Sequence, residues 1–160
     1  MSQCNNLSPT ISASSYRTQN DYFDALNTLL KKNLHNKKIG PYTIEIQDKT
    51  IPHIASTNNG NSNSQRVFDS NRAEKVPWII TILTSSNCGS CKDYYVWEKV
   101  NNGKNRLCIM CLKERFLVVL TLNKKTNRAY LVTAYPALYK HAIYDYLNEY
   151  YEYKKNGDAI

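Results

Sequence analysis

The spacing of apolar residues in the first half of the chain predicts helices separated by a short strand. Apolar side chains recur at the intervals of a helix face after Asn20, which suits an N-cap, at Phe23, Leu26, Leu30 and Leu34. Apolar and polar residues alternate over 42–46, as expected for a half-buried strand. Residues 56–65 include Asn59-Gly60 and predict a loop. A second helix is expected over 67–75, with Asp69 or Ser70 as its cap.

The second half of the chain predicts an antiparallel meander closed by a helix. Segments 94–100 and 106–110 flank Asn102-Gly103, the strongest short hairpin signal. Apolar segments at 116–122 and 129–135 predict two more strands. Helical spacing then returns and predicts a last helix, at Leu138, Ala142, Tyr146 and Tyr150. The expected fold class is α+β: N-terminal helices, an antiparallel sheet of about four strands and a C-terminal helix.

Length and composition indicate one domain with a polar leader. The chain has 160 residues, of which 42% are hydrophobic, enough to bury one core. Residues 1–19 are rich in Ser, Thr and Asn, which predicts a mobile leader before a single domain over 20–155. A signal-peptide pattern and a bilayer-length apolar run are both absent from the sequence, so a cytoplasmic protein with no membrane partner is expected.

The charge balance favours a polyanionic partner. The chain carries 21 Lys and Arg against 13 Asp and Glu, a formal net charge of +8. It also has 13 Tyr against 3 Phe, and a phenol ring suits nucleobase stacking as well as half-buried packing. Nucleic acid is the commonest partner of this kind, although a genome poor in G and C also raises Lys, Asn and Tyr and is an alternative cause of part of this count.

Four of the five cysteines form the pattern Cys88-x2-Cys91-x16-Cys108-x2-Cys111 across the predicted hairpin. Two such pairs are the usual ligand set of a tetrahedral zinc ion, so a structural Zn2+ site is expected over 88–111. Four thiolates leave no open position for water, and the metal would stabilise the fold without acting in catalysis. The alternatives are a redox-active cysteine pair and buried thiols without a ligand.

Basic and hydroxyl side chains suggest chemistry that needs no metal ion. Glycine-rich phosphate loops and a Ser, His and Asp triad are absent from the sequence, which disfavours nucleotide-cofactor chemistry. Cleavage of RNA by its own 2′-hydroxyl needs a base, an acid and a cation beside the phosphate. His53, at a predicted strand edge, is the candidate base, and Arg72 and Arg106 are candidate phosphate ligands. Thr133 and Tyr135 share one face of the last strand.

Several segments in this order resemble a known nuclease superfamily. They are Phe68-Asp69-x2-Arg72-x5-Trp78, Val96-Trp97-Glu98, Phe116-Leu-Val-Val-Leu and Tyr130-Leu-Val-Thr-Ala-Tyr-Pro136. Over about 67–136 the chain resembles the prophage-associated branch of the barnase, EndoU, colicin and RelE-like nucleases. The resemblance implies helices before a four-stranded antiparallel sheet, and a metal-independent RNase that acts as a toxin or phage effector. Among the candidate site residues, the resemblance includes Arg72, Arg106, Thr133 and Tyr135 and does not include His53.

Together these observations predict an endoribonuclease that cleaves single-stranded or tRNA-like RNA by transesterification. His53, Arg72, Arg106, Thr133 and Tyr135 form its expected site, and the cysteine pairs are expected to decorate the hairpin with zinc. An antitoxin or a host protein would be a further partner. The alternative is a zinc-ribbon protein that binds nucleic acid, or inhibits a host protein, without catalysis.

Overall fold

A curled mixed sheet of six strands organises the molecule, which is described here by a computed structural model over residues 7–58, 66–136 and 139–156. The strands of this sheet are β1 (Lys38–Ile39), β2 (Tyr42–Glu45), β5 (Tyr94–Asn101), β6 (Lys104–Cys111), β7 (Phe116–Asn123) and β8 (Arg128–Tyr135). Their order is β1-β2-β8-β7-β6-β5, and all pairs are antiparallel except β2 with β8. A separate antiparallel pair is formed by β3 (Ser56–Asn58) and β4 (Arg66–Phe68).

Helices lie on both faces of the large sheet. They are α1 (Gln19–Leu34), α2 (Thr50–Ile54), α3 (Ser70–Glu74), α4 (Val76–Thr84), α5 (Ser86–Gly89) and α6 (Lys140–Lys155). The first face of the sheet packs against α1 to α4, and the second face packs against α6. Within the described residues, no helix is both long enough and apolar enough to cross a bilayer.

The larger core lies between the first face and the N-terminal helices. One stripe of α1 is completely buried, at Tyr22, Leu26, Leu30 and Leu34. It meets α4, whose residues are apolar on nearly every side, and the buried side chains of the sheet. Because burial of apolar area is the main favourable term in folding, this core holds the sheet and the N-terminal helices together.

The smaller core lies between α6 and the edge formed by β5 and β6. Trp97 is 0% exposed at its centre and packs with Met110 and Ile143. The indole Nε1 of Trp97 donates a hydrogen bond to Glu149 Oε1 at 3.0 Å, and Lys99 forms an ion pair with the same carboxylate at 3.1 Å. These contacts fix α6 over only part of the second face.

The sheet prediction is correct in class and wrong in extent. The class is α+β as expected, but the sheet has six strands instead of four and is mixed instead of antiparallel. The two additional strands are β1, which pairs with β2, and β2 itself, which was predicted as a strand outside the sheet and pairs in parallel with β8 from Thr43 to Glu45. A parallel pair joins segments that are distant in sequence, so no local signal reveals it.

The hairpin prediction is confirmed. Asn102 and Gly103 both have positive φ, at 52° and 75°, as the tight turn requires. The resulting register places Trp97 opposite Cys108 and Tyr94 opposite Cys111, as a two-residue turn predicts.

Helix and leader boundaries differ from the predictions. Thr18, not Asn20, caps α1, because its Oγ1 accepts the Asp21 N–H at 3.0 Å. The helix predicted over 67–75 is divided into strand β4 and helix α3, which Asp69 caps. Residues 7–16 of the expected mobile leader contact the larger core, and the Tyr22 hydroxyl donates to the Ile11 carbonyl at 2.6 Å.

Candidate active site

The part of the second face that α6 leaves open carries polar and basic residues. Cys108 and Met110 of β6 point to this face. Arg106 points to the same face, because it precedes Cys108 by two positions and every second side chain of a strand lies on one side of the sheet. Its cross-strand neighbour is Thr121 of β7, which in turn pairs with Tyr130 of β8. An arginine, a hydroxyl and a phenol are thus placed side by side across three strands.

A β-bulge distorts β8 beside these residues. Val119 pairs with Thr133 and the next residue, Leu120, pairs with Leu131, so Val132 is left without a partner in β7. A bulge bends its strand and redirects side chains, which is why bulges are frequent near active sites. Here it allows both Tyr130 and Thr133 to share the second face with Arg106.

Helix α2 closes the open region from the edge of β8. The pairing of β2 with β8 stops at Tyr130, and the Thr50 hydroxyl donates to the next carbonyl, that of Leu131, at 3.3 Å. Ile51 and Ile54 anchor α2 in the larger core. His53 lies on the exposed side of the same turn, so its position depends on buried residues on either side of it.

These elements enclose a cavity of about 530 Å³ that we call the basic cavity. Its chemistry is set by Lys49, His53, Lys104, Arg106, Thr121 and Tyr130. No carboxylate is found among the described residues that line it. Three cationic side chains without a lining carboxylate favour an anionic ligand.

Arg106 has the strongest structural signature of an anion ligand. Its Nη1 donates to Thr121 Oγ1 at 2.8 Å, whereas its Nε is buried and has no hydrogen-bond partner in the described ranges of the chain. Among the described residues Arg106 forms no ion pair, in contrast to Arg128, which pairs with Glu45 at 2.6 Å. A buried polar group without a partner is costly, so the described residues leave part of the hydrogen-bonding capacity of this guanidinium unused.

His53 is held in a neutral state suited to a base. Partial burial, and then the positive charges of Arg66 and Arg72, lower the pKa of His53 below its usual 6.5. The Arg66 guanidinium also holds the backbone here, because its Nη2 donates to the His53 carbonyl at 2.9 Å and to the Ser56 carbonyl at 2.6 Å. The lowered pKa favours the unprotonated imidazole, and the Arg66 hydrogen bonds hold the backbone that carries it.

The other predicted site residues line two adjoining cavities. Arg106 shares a cavity of about 270 Å³ with Thr133 and Tyr135, and Tyr135 shares another, of about 380 Å³, with Arg72. Arg72 lies over the Tyr135 ring at 5.5 Å and forms an ion pair with Asp69 at 3.5 Å. Arg72 thus already has a carboxylate partner, which makes it a weaker anion ligand than Arg106.

Tyr135 is a hydrogen-bonding group and not a source of negative charge. Its hydroxyl lies 2.5 Å from that of Tyr146. Burial, and then this hydrogen bond, raise the pKa of Tyr135 well above its usual value of 10. The phenol therefore stays protonated in the pH range in which proteins are stable.

The structure brings His53 and Arg106 together and corrects the setting of His53. The strand edge predicted for His53 is wrong, because the residue lies in α2. The other two histidines lie outside the basic cavity: His35 follows α1, and His141 stacks on Tyr139 with ring centres 5.9 Å apart.

Sequence reasoning missed four of the six residues that set the chemistry of the basic cavity, namely Lys49, Lys104, Thr121 and Tyr130. Lys104 could have been predicted from the sequence, because it precedes Arg106 by two positions in a strand and so shares its face. Tyr130 could not be found from local spacing, because its contact with this face depends on the bulge in β8.

The four cysteines do not converge on one point. Cys108 and Cys111 are three residues apart in β6, so their side chains lie on opposite faces of the sheet. Cys111 belongs to the larger core and Cys108 to the smaller core, where it is 0% exposed. Within the described part of the chain, no group of three or more His, Cys, Asp and Glu side chains is arranged to hold a metal ion.

The surroundings of the thiols differ on the two faces. Burial, and then the neighbouring Cys88 and Cys111, raise the pKa of Tyr94 to about 12, which places these two thiols beside one ring. On the other face, burial raises the pKa of Cys108 to about 12, so it packs as a protonated, apolar group. A site made by all four thiolates does not fit this arrangement, and zinc binding stays a prediction.

Replacing Cys108 with alanine is expected to lower the free energy of unfolding by about 1–2 kcal/mol and to leave the metal content unchanged, because the sulfur acts through packing. Denaturant unfolding and elemental analysis of the purified protein measure the two effects. Cys88→Ala is the matched variant on the other face. If the parent protein contains one zinc ion per chain and both variants lose it equally, the hypothesis of a four-thiolate site would be supported and this prediction would be wrong.

Comparison of the chain with family profiles, with curated proteins and with solved structures found no match in any of the three. The functional argument therefore rests on the geometry of this site.

Proposed function

We propose that the protein is an endoribonuclease that cleaves RNA by transesterification, with no metal ion in the chemical step. The observation that carries the proposal is the basic cavity, in which a neutral histidine and an arginine without an ion-pair partner face a space free of lining carboxylates in the described chain. These are a base and an anion ligand, the minimum that attack of a 2′-hydroxyl on its own phosphodiester requires.

In the proposed reaction, His53 removes the proton of the 2′-hydroxyl. The O2′ atom then forms a bond to phosphorus, and the bond from phosphorus to O5′ breaks, leaving a 2′,3′-cyclic phosphate. The departing O5′ takes a proton from the Tyr130 phenol, which lines the same cavity, and the phenol regains a proton from the His53 imidazolium. Proton transfer of this kind contributes about 10²–10⁴-fold to a rate.

Arg106 supplies the charge stabilisation. The phosphorane that forms between attack and departure carries more negative charge than the diester, and the planar guanidinium can donate two parallel hydrogen bonds to it. Lys104 and Lys49 add positive charge at the walls of the cavity. Thr121 fixes the guanidinium in advance through its 2.8 Å hydrogen bond, which lowers the reorganisation needed during the reaction.

RNA is the substrate class that this chemistry selects. The attacking group is the 2′-hydroxyl, which DNA lacks. The net charge of +8 attracts the strand, and the residues that line one adjoining cavity include Arg72 and the phenols of Tyr135 and Tyr146.

Purified protein is expected to cleave a single-stranded RNA in the presence of EDTA and to leave 2′,3′-cyclic phosphate ends, because every group in the proposed step belongs to the chain. Gel electrophoresis and mass spectrometry of the products measure this. DNA of the same sequence is the control and should stay intact. RNA that remains whole at high protein concentration in several buffers, or cleavage that EDTA abolishes, would refute the proposal.

Binding of RNA without cleavage is the second candidate function, because the cations of the basic cavity attract a phosphodiester whether or not His53 takes a proton. An affinity for RNA that falls steeply with salt, together with intact RNA, would identify this function.

A further inference from the structure

His53 lines a second cavity, of about 380 Å³, which we call the aromatic cavity. Its other lining residues are Gln19, Phe23, Pro52, Ser56, Arg66 and Phe68. His53 is therefore shared between a space lined by cations and a space lined by aromatic rings. A ligand that occupies both would present an anion to one and a flat apolar group to the other.

Two phenylalanine rings form the apolar walls and are held in place from behind. Phe23 and Phe68 are only half-buried, and their ring centres lie 5.9 Å apart with 40° between the planes. Tyr22, which is completely buried, contacts both rings at 6.3 and 6.4 Å. The rings are therefore fixed before any ligand arrives, which reduces the entropy lost on binding.

Polar groups complete the aromatic cavity. Three hydrogen bonds fix the guanidinium of Arg66: Nε donates to Ser56 Oγ at 2.9 Å, and Nη2 donates to the carbonyls of His53 and Ser56. Gln19, the first residue of α1, is exposed, and its side-chain amide has no hydrogen-bond partner within the described part of the chain. The amide offers both a donor and an acceptor to a ligand.

We infer that the aromatic cavity binds a nucleobase of the RNA strand whose phosphate lies in the basic cavity. The inference rests on the proposed function and adds to it a base-recognition site. A nucleobase has π faces that stack on aromatic rings and guanidinium planes, and an edge that hydrogen-bonds with amides. In RNA the base and the phosphate belong to one nucleotide or to adjacent ones, which matches two cavities that share His53.

Binding of adenosine 3′-monophosphate tests the inference independently of catalysis. The reference ligand is ribose 3-phosphate, which has the same phosphate and no base. We expect the nucleotide to bind at least about tenfold more tightly, since stacking of one base on aromatic side chains has effects of this size, and to shift the NMR signals of the Phe23 and Phe68 rings. Phe23→Leu should remove most of this difference and leave the affinity for ribose 3-phosphate unchanged.

Two further variants keep the test decisive. Tyr144→Leu replaces an aromatic residue of α6 that is 56% exposed, and it should change neither affinity. Gln19→Ala alters only an exposed side chain, so it should change the relative affinities for the four nucleoside 3′-monophosphates even where Phe23→Leu destabilises the fold.

A cleavage experiment separates this inference from the proposed function. The substrates are DNA strands with a single ribonucleotide, with and without a base at that position. Tighter binding of the nucleotide that depends on Phe23, without cleavage of any RNA, would support the aromatic cavity and refute the nuclease. Equal affinities for the nucleotide and ribose 3-phosphate would overturn the inference even if RNA is cleaved.

Discussion

Replacing His53 with glutamine is expected to slow RNA cleavage by about 10²–10⁴-fold while the affinity for RNA changes little. Glutamine keeps a polar side chain of similar length but cannot accept the proton of the 2′-hydroxyl. Because His53 lies on the exposed side of α2, and Ile51 and Ile54 anchor that helix, the fold should persist. Single-turnover rates with one defined RNA, and thermal unfolding of both proteins, measure the two effects.

The dependence of cleavage on pH tests the proposed role of His53 as the base. A general base must be unprotonated, so kcat/KM should fall as the pH drops through the pKa of this residue. Burial, Arg66 and Arg72 lower that pKa, and the fall should therefore occur below pH 6.5. Replacing Arg72 with glutamine removes one of these positive charges, which should move the fall to higher pH.

The matched control is His141→Gln, which removes a histidine that stacks on the exposed Tyr139 and lines none of the three cavities of the candidate site. It should leave both the rate and the pH profile unchanged. Full activity in the His53 variant, or an acid limb that Arg72→Gln leaves in place, would exclude His53 as the base.

Local signals explain the parts of the fold that could be predicted from the sequence. The turn at Asn102-Gly103 specifies its own backbone conformation, so the hairpin and its register followed from two residues. The parallel pairing of β2 with β8 joins segments separated by more than 80 residues, and no property of either segment alone specifies the other as its partner.

The candidate site was predictable in its residue types and not in its arrangement. A sequence with few histidines singles out His53, and alternation in β6 assigns Arg106 to one face. Their approach depends on α2 meeting β8 next to a bulge, which is a tertiary event. The same alternation explains why the cysteine spacing misleads: an interval of three residues suits a metal site in a loop, but within a strand it separates Cys108 from Cys111.

Two features of the second face connect the fold with the proposed chemistry. Helix α6 covers β5 and one end of β6, β7 and β8, which leaves the other end of these three strands, with Arg106, Thr121 and Tyr130, open to a ligand. The N-terminal helices stabilise the opposite face, so the open region is supported from behind without being filled. A site built on strands of this kind holds its side chains more rigidly than a site built on loops.

Replacing Arg106 with alanine is expected to reduce cleavage by about 10²–10³-fold, as removal of one preorganised donor to a developing anion does in other enzymes. The change should cost little stability, because it also removes the buried Nε, for which the part of the chain that the structure describes provides no hydrogen-bond partner. Arg106→Lys keeps the charge but loses the planar guanidinium. Compared with Arg106→Ala, it should therefore restore the affinity for RNA more fully than the rate of cleavage. Single-turnover kinetics and RNA titrations at constant salt measure these quantities.

The control for Arg106 is another arginine at the far end of the same sheet. Arg115 lies in the turn between β6 and β7 with a φ of 53°, and asparagine tolerates that conformation. Arg115→Asn therefore removes one positive charge without straining the backbone, and it should weaken RNA binding only slightly. Equal losses of rate in the Arg115 and Arg106 variants would show that overall charge, and not the guanidinium held by Thr121, accounts for the activity.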